Sequence, residues 1–408
     1  MNIKKTLCLL LALFTVVILF NFRNIVKVLD RDNFAWFYIS EPDYAKRRAI
    51  RAQKAKGRII IGAAGSWNSE KDKPIIQGIE LAVDEINSAG GLLGREIELV
   101  VKSDMNDENT GEVIAQEFCS NLDMVAVIGH TSSSISRSTA VLYDTDGLVM
   151  ITPFSTTRKL MPDKYRGFIF MNIPDNMKSA RLLMEYMHAR GCRNLIIFSD
   201  MDGYSSDMGG AVQKKAHIIG IDITDKRLFD YTCNKVYFDK ILAEIKRLYT
   251  DTFDSILIIG PPDKAALIMK AASEADIKVT YYGTDTMFNK AFIGAAGEIA
   301  EGTTVCWYDI TRGSPEAIKK LRQDFKSKYG HEPEYSVILG YDTVMVLANA
   351  IREAGSTVPA KIAEALREKT YAGLFGPTKF AAGGELIQDR TALFEVKDGR
   401  FVQVDEAK

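Results

Sequence analysis

Two clusters of hydroxyl side chains, GHTSSSIS from Gly129 and TPFSTT from Thr152, stand directly behind apolar runs. The runs, Met124 to Ile128 and Leu148 to Ile151, read as strands buried on both faces of a parallel sheet. Hydroxyls and free backbone N–H groups at the carboxyl end of such a strand can hold an anion. A helix N-terminus that follows adds its partial positive charge. Serines in that position also act as simple helix caps. A second cluster on the next strand tips the balance toward a ligand grip, because open α/β sheets bind ligands outside the carboxyl ends of their strands.

Catalytic chemistry finds little support. No G-x-G-x-x-G follows a strand, and neither a G-x-x-x-x-G-K-[ST] loop nor a G-x-S-x-G elbow is present. GAAGSW at Gly62 lacks the third glycine of the first pattern, and GYSSD at Gly203 lacks the closing glycine of the last. His130 adjoins the first serine cluster and can in principle serve a serine as base. No acid partner can be assigned to it from sequence, and a lone histidine at a strand end is more often a hydrogen-bonded packing residue. The five cysteines, Cys8, Cys119, Cys192, Cys233 and Cys306, show no CxxC and no Cys/His spacing suited to zinc. Neither a metal nor a cofactor is expected, and the chain is not expected to be an enzyme. Cys8 lies in an apolar N-terminal run, which leaves four cysteines that can pair in three ways.

The elements that must position the clusters alternate from Arg58 onward. A short β-branched run to Gly62 and a polar loop through Trp67 precede Ile75 to Asn87, whose apolar residues Ile76, Ile79, Leu81, Val83 and Ile86 recur at helical spacing. Glu96 to Lys102 reads as a strand, Thr110 to Asn121 as a helix and Met124 to Ile128 as a strand. The rhythm resumes with strands at Asn194 to Ser199 and Ser255 to Ile259, and helices at Val212 to Ile219, Tyr237 to Tyr249 and Ala265 to Ala275. Repeated βαβ units predict doubly wound parallel sheets. With 408 residues, 47% of them hydrophobic and 26% charged, the chain is long enough for about two domains of ~150 residues each. A net charge of −1, from 52 basic and 53 acidic residues, provides no global field for nucleic acid.

Lys4 and Lys5 precede the apolar stretch Leu7 to Phe20, the pattern of an export signal. Residues 21 to 24 (Asn21, Phe22, Arg23, Asn24) offer no small-residue pair for cleavage, which favours an uncleaved anchor at the inner membrane. The stretch spans only ~21 Å as a helix against a ~30 Å hydrocarbon core, which keeps a cleaved signal in play. Residues 23–57 carry Phe34, Trp36, Phe37 and Tyr38, then Lys46, Arg47, Arg48, Arg51, Lys54 and Lys56. The basic half can sit on anionic lipid or form a solvated helical face, and the whole segment is expected to be a stalk near the bilayer surface.

From Ile59 to Phe401 the sequence resembles the type I periplasmic binding proteins of ABC importers, in the leucine/isoleucine/valine-binding branch. The resemblance rests on QGIELAVDEINSAGGLLGREIELV from Gln77, IGHTSSSIS from Ile128, DGLVMITPFSTT from Asp146 and GTD from Gly283. FKSKYGHEP from Phe325, with Tyr341 and Asp342 beyond it, and GPTKFAAGGELI from Gly376 complete the family's order. It implies two Rossmann-like lobes joined by three hinge crossings, near Pro174, Cys306 and Phe375, that close on a ligand. Lobe one is expected over 58–175 and 308–374, lobe two over 176–307 and 375–408.

In family members with amino-acid ligands, a serine hydroxyl and backbone N–H groups of lobe one hold the α-carboxylate. The matching positions are Ser133 and the segment Phe154, Ser155, Thr156. The α-ammonium is met in lobe two by an acidic side chain and an aromatic hydroxyl, matched by Asp285 and Tyr204. A zwitterion leaving water needs both charges paired, so opposed donors and carboxylate fit the chemistry. Trp67 and Lys71, in the loop after the first strand, are the candidates to face the ligand side chain, though a buried tryptophan is as often part of the core. The sequence departs from the family where Ser132 replaces a disulfide cysteine, Lys71 an aromatic residue and Phe154 a small one, and in the N-terminal anchor. The implied role is capture of an amino acid or similar small polar solute for an ABC permease. The alternative is a membrane-tethered sensor of the same fold that reports closure to a membrane partner.

Overall fold

Alternating apolar strands and amphipathic helices wind residues 59–171 into a parallel sheet. Its strands are β1 (Ile59–Gly65), β2 (Ile97–Ser103), β3 (Met124–Gly129), β4 (Val149–Thr152) and β5 (Ile169–Met171), ordered β2-β1-β3-β4-β5. Every pairing is parallel. β3 and β4 are buried along their whole length, which is why they read as continuous apolar runs. The strand order reverses between β1 and β3, and that switch point opens a crevice at the carboxyl ends of these two strands. The computed structural model describes residues 44–70, 72–160, 167–249, 252–309 and 313–404.

The second sheet repeats the plan. β6 (Asn194–Asp200), β7 (Asp222–Phe229), β8 (Ser255–Ile259), β9 (Thr280–Gly283) and β10 (Thr304–Tyr308) lie parallel in the order β7-β6-β8-β9-β10. After a small ribbon of β11 (Tyr371–Gly373) and β12 (Gly376–Thr378), strand β13 (Thr391–Lys397) adds antiparallel to β10, and β14 (Arg400–Gln403) adds antiparallel to β13. Successive side chains of a strand face opposite sides, and the core divides accordingly. Ile196, Phe198, Ile256 and Ile258 join one apolar cluster, and Leu195, Ile197, Leu257 and Ile259 join another on the reverse face.

The helices start where the sequence offers caps. Asp107, Asp175 and Asp202 each accept an N–H of the following first turn. Helix Tyr335–Ala354 brings the chain back onto helix Lys73–Ser88 beside the first sheet. At Gly340 a Cβ would lie 2.1 Å from the Ile75 carbonyl, so only glycine permits this crossing.

Where the chain passes between the sheets, a buried polar group ties the passages together. Asp342 accepts Asn172 Nδ2 at 3.1 Å and the Leu374 N–H at 2.5 Å, and Arg390 Nη1 stands 3.9 Å from it. The Arg390 carbonyl in turn accepts the Asp309 N–H at 2.8 Å. Burial holds the Asp342 carboxyl above the ordinary carboxylate range and pulls Arg390 below the ordinary arginine value.

The expectation of a basic stalk fails for its second half. Residues Tyr44–Lys54 form a helix docked on the first lobe, and Arg48 is fully buried. Its guanidinium donates to the carbonyls of Asn121 and Met124 at 2.7 Å and of Cys119 at 2.6 Å. It therefore caps the carboxyl end of helix Glu108–Ser120, where carbonyls lack helical partners and the dipole favours a cation. The apolar run Leu7 to Phe20 and the aromatic half of the stalk lie outside the described residues. Among the described residues no helix is long and apolar enough to cross a membrane. Cys192, Cys233 and Cys306 are free thiols.

Candidate solute-binding site

The first-lobe side is built on the ends of β3 and β4. Gly129 closes β3 at φ +132°, with the Ala64 carbonyl only 1.9 Å from where a Cβ would stand, so the turn demands glycine. Behind it, His130 is buried, with Nδ1 2.8 Å from Asp104 Oδ2 and Nε2 3.1 Å from the Tyr143 hydroxyl. Both ring nitrogens are occupied below the crevice. His130 is thus a packing residue with an acid partner that sequence could not supply, and it activates no serine.

Ser133 opens helix Ser133–Thr145, and its cap residue Ser132 caps no backbone N–H of the first turn, its hydroxyl instead lying 3.1 Å from Ser134 Oγ. Thr152 Oγ1 donates to the His130 carbonyl at 2.8 Å and accepts the N–H groups of Phe154 at 3.3 Å and Ser155 at 3.0 Å. The loop after β4 is thereby folded over the helix N-terminus, and Ser155 Oγ reaches Ser133 Oγ at 3.3 Å. The backbone donors of Phe154 and Ser155, expected to face a carboxylate, are already used internally. Thr156 Oγ1 is buried with no hydrogen-bond partner among the described residues. A buried hydroxyl without a partner costs ~1–3 kcal/mol, a cost that a bound anion would relieve.

The second-lobe side converges on Asp285, in the short turn Asp285–Met287 behind β9. Tyr204, in the first turn of helix Gly203–Ile219, donates its hydroxyl to Asp285 Oδ1. Tyr308, the last residue of β10, donates to Oδ2 at 3.3 Å. Burial, and then the Asp285 charge, push both phenols well above the ordinary tyrosine value, so they stay protonated donors at neutral pH. A half-buried carboxylate ordered by two phenols can accept an ammonium group.

A cavity of about 250 Å³ joins the sides, with Phe154 on its first-lobe wall and Asp285 on its second-lobe wall. Trp307 and Tyr335 line it as well; sequence reading missed both, together with Tyr308. Their only signal was position, at the end of an apolar strand or the start of a helix. Ser133, Thr156 and Tyr204 flank the crevice without lining this cavity. Trp67, 7% exposed, donates to the Ala63 carbonyl at 3.4 Å and packs over Gly65 at the end of β1, away from the cavity. Lys71 lies outside the described residues. The lobes meet where a Cβ at Gly203 would stand 3.1 Å from Ser134 Cβ, and where Lys159 pairs with Asp207 at 2.9 Å.

Two matching α/β lobes with a cavity between them, and a tyrosine-held carboxylate on its second-lobe wall, have the architecture of a two-lobed solute-binding protein. The periplasmic binding protein family model matches residues 60–400, and the chain belongs to that family. The Leu/Ile/Val-binding protein homolog 2 of Brucella abortus is 27% identical over 350 residues, 84% of this chain and 90% of that protein. The crystal structure of an ABC transporter substrate-binding protein from Desulfitobacterium hafniense in complex with Leu is 31% identical. It covers 85% of this chain and all of that one, with a TM-score of 0.73. A leucine binding protein from Thermotoga maritima shares the fold, with a TM-score of 0.74 at 23% identity over 85% of this chain and 98% of that one. The chain is accordingly a solute-binding protein that works outside the cytoplasm, and not an enzyme.

Proposed function

We propose that this protein captures an α-amino acid between its lobes and presents it to an ABC permease. Ser133 and Thr156 hold the carboxylate in the first lobe, and Asp285, ordered by Tyr204 and Tyr308, holds the ammonium in the second. The observation that carries this reading is the placement of Asp285 on the cavity wall opposite Phe154, under two phenol donors. The leucine-bound structure from Desulfitobacterium hafniense and the Leu/Ile/Val-binding relatives support an amino-acid ligand.

Removing one partner of a desolvated charge pair costs ~2–5 kcal/mol, and a neutral hydroxyl contributes less. Calorimetric titration with amino acids should therefore show Asp285→Asn weakening binding more than Ser133→Ala does. Binding by Asp285→Asn within about twofold of wild type, ~0.4 kcal/mol, would sink the ammonium assignment.

The reading extends to the membrane. The apolar run Leu7 to Phe20, followed by no small-residue cleavage pair, is taken to hold the protein at the outer face of the inner membrane. Intact-mass measurement of the native protein should find residues 1–22 retained, and a mature N-terminus between 20 and 60 would refute the anchor.

A further inference from the structure

We propose that the solute carries a neutral aromatic side chain. This rests on the amino-acid reading above and concerns the far part of the same site. Beyond Asp285 and Phe154 the cavity runs between rings supplied by both lobes. Phe154 of the first lobe stands 6.3 Å from Trp307, and Phe288 lies 5.0 Å from Trp307 in a stacked pair at 14°. Tyr335, on the helix that packs against Lys73–Ser88, tilts over Phe288 at 5.1 Å, and it is 39% exposed. Rings thus already touch across the junction of the lobes, and the cavity is the gap left among them.

Its size fits one more ring. A benzene-sized group is held by an apolar cavity of roughly 150 Å³, and about 250 Å³ is present here. Aromatic pairs in tilted or offset contact gain beyond their buried area, equivalent to about two- to tenfold in affinity per ring. A branched aliphatic side chain gains only the area. The rim decides the charge of the far end. Arg322 and Lys290 stand there with Glu332 and Glu334, two cations against two carboxylates, so the mouth calls for no charge on the solute.

Full-length protein in non-ionic detergent, freed of carried-over solute, should be titrated with L-phenylalanine, L-tyrosine, L-leucine, L-isoleucine and L-valine. Phenylalanine or tyrosine should bind about tenfold tighter than any aliphatic member. Tyr335→Ala should weaken phenylalanine about tenfold and leucine less than about threefold. Phe154→Leu, altering the other first-lobe ring of the cavity, should show the same selective loss if the alanine variant folds poorly. Leucine, isoleucine or valine binding as tightly as phenylalanine would overturn the aromatic assignment and leave the amino-acid reading standing. Failure of every amino acid to bind would overturn that reading and this inference with it.

Discussion

Thr152, the last residue of β4, and Thr156, in the loop that follows, are both buried, yet their hydroxyls have opposite situations. Thr152 Oγ1 donates once and accepts twice, fixing the turn that carries Phe154 and Ser155. Thr156 Oγ1 has no partner among the described residues. Replacing each with isosteric valine should therefore separate folding from binding. Thr152→Val leaves a carbonyl and two N–H groups unsatisfied and should lower stability by about 2–3 kcal/mol in urea unfolding. Thr156→Val removes an unsatisfied group, so the solute-free melting temperature should stay level or rise. Its solute affinity should drop by about 1 kcal/mol, or roughly fivefold. A Thr156→Val protein that is destabilised without solute but binds normally would make this hydroxyl a structural one.

At the scale of elements, sequence legibility follows the range of the interactions. β3 and β4 declare themselves because burial on both faces leaves only apolar residues in them. Helix Lys73–Ser88 does so through the spacing of Ile76, Ile79 and Val83. The hydroxyl clusters stand at the strand ends where the sequence set them. Asp285 and its phenols were legible only in part. Tyr204 came from the family pattern, whereas Tyr308 reaches Asp285 only because β9 and β10 pair.

The N-terminal helix shows the limit most plainly. Its basic residues read as a solvated stalk, and nothing local tells Arg51, paired at the surface with Asp123, from buried Arg48. What separates them is the set of carbonyls that helix Glu108–Ser120 and the turn after it offer to Arg48. Arg48→Met keeps much of the volume but strands those carbonyls. It should cost about 3 kcal/mol in denaturant unfolding while leaving solute affinity unchanged, since the contact lies at the far end of β3 from the crevice. A loss under about 0.5 kcal/mol would return this segment to the status of a detachable stalk.

The whole molecule works only if binding and lobe closure are one event. A solute that touches both walls stabilises the closed form by its differential affinity for it, and nothing else about its binding can drive closure. The Lys159–Asp207 pair across the lobes is a minor contributor, because Lys159 is more than half exposed and solvent screens it. The tighter constraint is steric. Gly203 begins its helix directly against Ser134 of the opposite lobe, and even one added carbon would sit 3.1 Å from Ser134 Cβ. Gly203→Val should act as a wedge that the open form accommodates and the closed form does not. The variant should keep the wild-type melting temperature without solute and bind at least about tenfold more weakly, a penalty of ~1.4 kcal/mol on closure. In X-ray scattering with saturating solute it should retain a larger radius of gyration than the wild type. If Gly203→Val compacts and binds like the wild type, the lobes do not close against each other at this point.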